Sequence, residues 1–196
     1  MNKKDAYERN LEQYQKKMVS QAFQALQDDI EKGDITGNST LRKQTVEAIV
    51  KAKSNCVLCG LVEAEAIFKK GGIMIKKLKK EGDKLKKGDV ILKLKGDIRE
   101  ILKRERTCIN YLQHLSGIAT QTNQLCSKYP GKVAATRKIT PGLMFSEKRA
   151  VQVGGGLTHR INLSDGFLIK DNHIASVIVE QLNGVYNEDN KIRAIW

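Results

Sequence analysis

Between Ile73 and Lys95 lysines are interleaved with Ile73, Ile75, Leu78, Leu85, Ile91 and Leu94, and Glu81-Gly82-Asp83 and Lys87-Gly88-Asp89 punctuate the run as turns. Alternation such as Ile91-Leu92-Lys93-Leu94-Lys95 puts apolar groups on one face of a strand and cations on the other. That is the pattern of antiparallel strands with one wet face. Residues 45–50 read as a further strand and Leu61–Lys70 as a helix. Residues 5–31 read as another helix, because Val19, Phe23, Leu26 and Ile30 recur at three- and four-residue spacing and Gly33 follows as a stop. Together these segments predict an α+β module ending near Gly96.

The chain has 196 residues, with 35 Lys+Arg against 22 Asp+Glu, a net charge of +13, and 40% hydrophobic residues. This balance suits a soluble globular protein of one or two domains. Two prolines exclude collagen, and four cysteines in a chain this long exclude a disulfide-packed mini-protein. Every apolar run is broken before the roughly 18 residues a membrane span needs, and the opening Met-Asn-Lys-Lys leads into no apolar signal core. A cytoplasmic protein with reduced thiols is expected. The basic excess is concentrated in the lysine-rich strands, where it reads as a solvated face. A nucleic-acid surface is the competing reading, but only 5% of residues are aromatic, and no strand shows the interleaved stacking platform of single-strand binders.

Asp97 with Glu100 three residues on resembles a capping box opening a helix whose apolar positions are Ile98, Ile101, Leu102, Ile109, Leu112 and Leu115. At 3.6 residues per turn Glu105 falls inside that stripe and Arg106 at its margin. A carboxylate facing a core needs a partner.

After Tyr129-Pro130-Gly131 the pattern changes. Val133–Thr136 reads as a strand, Ser146–Val153 as a helix, and Gly166–Ile169 as a strand followed by helical residues from Ile174. This succession predicts parallel β/α units, in which chemistry gathers where strands end and loops begin. The first strand ends in Thr136-Arg137-Lys138, with Pro141-Gly142 beyond, and the second in Lys170-Asp171-Asn172-His173. Between them stand Gly154-Gly155-Gly156 and His159-Arg160. Singly, these residues would be surface charge, a structural histidine and a weak phosphate-loop signal. Jointly, at adjacent strand ends, they predict a site for a ligand with several negative charges. Cys56 and Cys59 form one C-x-x-C with no second pair to complete a zinc or haem site, and no metal ligands are identified.

At these residues the sequence resembles the quinolinate phosphoribosyltransferase family. The likeness runs collinearly through Asp29-Ile30 and Gly33–Thr36, Glu105-Arg106-Thr107 with Asn110, Leu115–Thr120, Ala135–Lys138 with Thr140-Pro141-Gly142, Gly154–Gly156 with His159-Arg160, and Leu168–Ile174. The resemblance implies transfer of the phosphoribosyl group of phosphoribosyl pyrophosphate to the ring nitrogen of quinolinate. Carbon dioxide and pyrophosphate are lost, magnesium is needed, and the product, nicotinate mononucleotide, feeds NAD synthesis. Carried over, Arg106, Arg137, His159, Arg160 and Lys170 would line the quinolinate pocket with Thr136 and Lys138 beside them. Lys138 and Lys170 would also face the sugar phosphate, and Lys138, His159 and Lys170 would form the catalytic set. In the family the Arg106 position reaches a neighbouring subunit's pocket, which implies a homodimer or higher homo-oligomer.

The fold expected is an α+β N-terminal domain over residues 1–104 followed by an incomplete α/β (β/α) barrel over 105–196. Only 22 residues follow Ile174, whereas a closed barrel takes about 250. Glu180, Glu188 and Asp189 do not match the family's acidic motifs for ribose and magnesium. Three readings follow: the phosphoribosyltransferase, a catalytically incomplete subunit or remnant that binds dicarboxylates or a homologous chain, and a basic nucleic-acid module.

Overall fold

The computed structural model describes the backbone of residues 11–182 and the side chains of residues 11–176. In chain order the elements are α1 (Leu11–Ile30), α2 (Ile35–Thr40), β1 (Thr45–Lys51), β2 (Cys56–Val57), α3 (Leu61–Lys70), β3 (Met74–Lys77), β4 (Lys84–Leu85), β5 (Val90–Asp97), α4 (Ile98–Lys128), α5 (Met144–Val153) and α6 (Asp171–Leu182). Residues 5–10 of the predicted first helix lie outside the described residues. The chain divides into two compact units between Ile161 and Asn162.

In the first unit, β5 pairs antiparallel with β1 on one side and β3 on the other, placing Thr45 opposite Asp97 and Met74 opposite Lys95. β2 and β4 form a separate short antiparallel pair. The lysine-rich run behaves as its alternation requires: Leu92 and Leu94 are buried, and Lys93 and Lys95 are exposed. Ile91 and Leu92 are buried in succession, which strict alternation forbids. A register shift at Val50 and Lys51, opposite this point, accounts for it, since a bulge re-aims side chains locally.

The apolar face of this sheet is covered by helices. Leu61, Ala64, Ile67 and Phe68 of α3 and Ile101, Cys108, Leu112, Leu115 and Ala119 of α4 join Leu92, Leu94 and Leu26 in one core. On α1 the fully buried positions are Tyr14, Met18, Ala22 and Leu26. Of the predicted stripe, Leu26 is shared, whereas Val19, Phe23 and Ile30 sit half-buried on its flank. The first half of α1 has its own partner: Tyr14 and Met18 cluster with Phe145 and Ile161, and the Tyr14 and Phe145 rings stack at 4.7 Å between centroids.

α4 begins as predicted, with the Asp97 carboxylate accepting from the Arg99 amide at 3.0 Å, but the capping box does not close. Glu100 instead accepts from Lys103 Nζ at 2.7 Å and pairs with Arg104. The Glu105 expectation is also corrected: Glu105 is exposed, and Arg104 is the charged residue on the buried face. Leu102 and Ile109 pulled the predicted stripe toward Glu105, yet Leu102 is largely exposed and Ile109 half-buried. The true stripe runs through Ile101, Arg104, Cys108, Tyr111, Leu115 and Ala119, about 100° round the helix from Glu105.

Beyond α4 the two predicted strands are not ladders. Val133–Thr136 makes one isolated parallel bridge, from Ala134 to Leu157. In the second unit Gly166–Ile169 forms no strand, and Phe167 and Ile169 are exposed. No closed barrel forms among the described residues. In the second unit Ser164 donates through both its amide and its hydroxyl to Asn162 Oδ1, at 3.0 and 2.7 Å. α6 then opens at Asp171, three residues before the helical start expected at Ile174. Among the described residues no helix is long and apolar enough to cross a membrane.

Candidate functional site

The site is built on that one bridge. Leu157 donates its amide to the Val133 carbonyl at 2.9 Å, and Ala135 donates to the Leu157 carbonyl at 2.8 Å. Because the two segments run parallel, the chain leaves both of them at the same end. Thr136-Arg137-Lys138 and Thr158-His159-Arg160 are therefore neighbouring loops. The Thr136 hydroxyl accepts from the Lys138 amide at 3.0 Å, a local turn of the kind Ser and Thr side chains make. Thr136, Arg137, Lys138 and His159 are exposed, and Arg160 is half-buried. His159 has φ +50°, a left-handed conformation that non-glycine residues adopt uncommonly and that clusters at functional sites.

Two of the three glycines have a packing role, and Gly155 between them takes a left-handed φ of +94°. A Cβ at Gly154 would stand 2.5 Å from the Ala119 carbonyl oxygen and 2.6 Å from Thr122 Cβ, and one at Gly156 would stand 2.8 Å from Val151 Cγ1. Backbone lies directly against α4 here, and Asn123 Nδ2 donates to the Gly154 carbonyl at 3.3 Å. The glycines thus fix where the Leu157 segment starts.

Beneath the two loops lies α5, which residue-pattern reasoning did not single out for chemistry. Lys148 is fully buried, and its Nζ donates to the Thr158 carbonyl at 2.6 Å and the Arg160 carbonyl at 2.9 Å. Glu147, also buried, accepts from the Thr140 amide at 3.1 Å and bonds His114 Nε2 at 2.8 Å. Burial works against its charge, but the bonds from Thr140 and His114 outweigh burial and hold its carboxyl below the usual range. In sequence, Ser146-Glu147-Lys148-Arg149 is a polar run with no sign of which members are buried.

The remaining predicted residues lie elsewhere. Arg106 is exposed on α4, about 20 Å of helix from Ala119, where Gly154 packs. Lys170 is an exposed residue of the second unit, immediately before α6, and its amide donates to His173 Nδ1 at 3.1 Å. Glu180, Glu188 and Asp189 fall outside the described side chains. Among the described residues no group of three or more His, Cys, Asp or Glu could hold a metal ion.

An α+β domain leads through one long helix into a partial α/β region whose loops carry cations, which defines a protein of mixed α and β architecture. The family described as "Quinolinate phosphoribosyl transferase, N-terminal domain" matches residues 34–116, and its C-terminal counterpart matches residues 118–191. The chain belongs to the quinolinate phosphoribosyl transferase family. A "Probable nicotinate-nucleotide pyrophosphorylase [carboxylating]" of Methanocaldococcus jannaschii is 44% identical over 163 residues, which cover 80% of this chain and 57% of the relative. "Quinolinate phosphoribosyltransferase [decarboxylating] 1b" of Nicotiana tabacum is 37% identical, covering 82% of this chain and 48% of its own. The solved nicotinate-nucleotide pyrophosphorylase of Francisella tularensis superposes with a TM-score of 0.78 at 34% identity, over 87% of this chain and 65% of that one. The chain thus spans about half the length of the curated relatives it matches.

Proposed function

We propose that this chain serves phosphoribosyl transfer from phosphoribosyl pyrophosphate to quinolinate with decarboxylation, giving nicotinate mononucleotide, carbon dioxide and pyrophosphate for NAD synthesis. Arg106, Arg137, His159, Arg160 and Lys170 bind the dicarboxylate, with Thr136 and Lys138 beside them. Lys138 and Lys170 also face the sugar phosphate and form the catalytic set with His159. Guanidinium forks suit carboxylates, and fixed cations suit a departing pyrophosphate, whose charge grows as its bond to the anomeric carbon breaks. The observation that carries this reading is the parallel Ala134–Leu157 bridge, which sets the loops of Arg137-Lys138 and His159-Arg160 side by side. We further propose a homodimer or higher homo-oligomer in which Arg106 is contributed across the interface. Its exposed position, far along α4 from the glycine contact, supports this. The four cysteines are free, which suits a reducing cytoplasm.

A second reading is binding without turnover. Assay of nicotinate mononucleotide formation beside quinolinate calorimetry separates the two. The expected result for this chain alone is weak binding with little turnover. Efficient magnesium-dependent release of carbon dioxide would assign the whole reaction to it, and absence of quinolinate binding would overturn both readings.

A further inference from the structure

Two consecutive residues of α5 reach in different directions to the two cationic loops. Glu147 holds the loop that follows Arg137 and Lys138 through the Thr140 amide, and ties it through His114 to α4. Lys148 holds the other loop by bonding the carbonyls of Thr158 and Arg160, one on either side of the left-handed His159. In a trans peptide the N–H points opposite to the C=O, so the His159 and Ile161 amides are turned away from Lys148. Both side chains are buried, where a charge persists only with good partners. Their rotamers are consequently fixed, and so are the loops they hold.

We infer that Glu147 and Lys148 are paired positioning residues, setting the spacing of the Arg137-Lys138 and His159-Arg160 loops to match one anionic ligand. Neither touches that ligand; they act through the backbone of the residues that do. The inference rests on the proposed quinolinate reading for its ligand but not for its geometry. A site that must grip two carboxylates tolerates displacement poorly, since supporting contacts decide whether first-contact groups sit within about half an ångström of the productive arrangement.

The test uses the full chain and its Lys148→Met, Lys148→Arg, Glu147→Gln and Glu147→Ala variants, with Arg137→Ala as the binding control. Residue-resolved amide exchange and quinolinate calorimetry are the readouts. Glu147→Ala should speed exchange of the Thr140 amide at least tenfold and weaken quinolinate about tenfold, whereas Glu147→Gln, which keeps an acceptor oxygen, should restore most of both. Lys148→Met should speed exchange at the buried Ile161 while leaving β5 amides protected, and Lys148→Arg should recover part of the binding. If Lys148→Met does not fold, the Glu147 pair decides. Should the parent not bind quinolinate, the proposed function fails, and exchange confined to each held loop still supports positioning. Unchanged loop exchange, equal behaviour of Glu147→Ala and Glu147→Gln, or acceleration spread over the whole protein would overturn it.

Discussion

Glu63 on α3 is almost completely buried and accepts from the Ser146 hydroxyl at 2.6 Å, joining the N-terminal module to α5. Burial pushes its carboxyl above the usual range, and the Ser146 bond only partly offsets this. A carboxyl whose folded pKa is raised binds its proton more tightly in the folded state, so its contribution is most favourable below the unfolded value of about 4.3 and is lost as pH rises through the folded one. Glu63→Gln keeps the acceptor and removes the charge. Thermal melts should show it about 2–4 °C more stable than the parent at pH 7.5, with the gap closing near pH 4. A gap that widens as pH falls would contradict the assignment. Gly154 makes a simpler case. Its missing Cβ would overlap the Ala119 carbonyl, and backbone cannot swing aside, so Gly154→Ala should cost about 2–3 kcal/mol in denaturant unfolding. Such roles were hidden in the sequence. Three glycines suggest phosphate as readily as close packing, and the burial of Glu63, Glu147 and Lys148 depends on neighbours distant in the chain.

Among the elements, the legible ones were those that declare themselves locally. β5 alternates, α3 carries its own apolar face, α5 came within two residues of its observed start, and Asp97 caps α4. The face of α4 was less legible, because Leu102 and Ile109 widen its apolar surface and shift the apparent centre by one residue. Paired substitutions measure that shift. Leu115→Ala, on the fully buried side, should cost about 2–5 kcal/mol, while Glu105→Ala should stay within about 0.5 kcal/mol of the parent. Comparable losses at both positions in urea unfolding would put Glu105 back in the core. The two predicted parallel strands failed for a different reason. A parallel strand is completed by the neighbours it pairs with, which a run of four apolar residues cannot specify. Val133–Thr136 obtains a single bridge and Gly166–Ile169 none.

Among the described residues as a whole, the first unit is packed around a core shared by its sheet, α3, α4 and α5, whereas the second exposes apolar side chains. Leu163, Phe167, Leu168, Ile169 and Ile174 are exposed within one short stretch of the second unit, more than scattered surface residues account for. Self-association at micromolar concentration is the expected consequence, and Phe167→Ser should reduce it. Light scattering that reports a monomer for the parent, or no change in the variant, would count against this. The family and the two-part architecture were legible because motif residues cluster in sequence at loop ends. How those loops come to lie together was not, since the parallel bridge between Ala134 and Leu157 joins segments distant in the chain.

That shared site is the central claim, and quinolinate calorimetry on four proteins addresses it most directly: the parent, Arg137→Ala, Arg160→Ala and Lys84→Ala. Charge-assisted bonds to a carboxylate contribute roughly 1.5–3 kcal/mol each, so loss of either arginine should weaken binding about tenfold or more. Lys84, exposed on β4, should be replaceable without effect. General attraction to a chain of net charge +13 would respond alike to all three substitutions and fade with salt in every variant. Equal binding by Arg137→Ala and Lys84→Ala would contradict a site built on these loops.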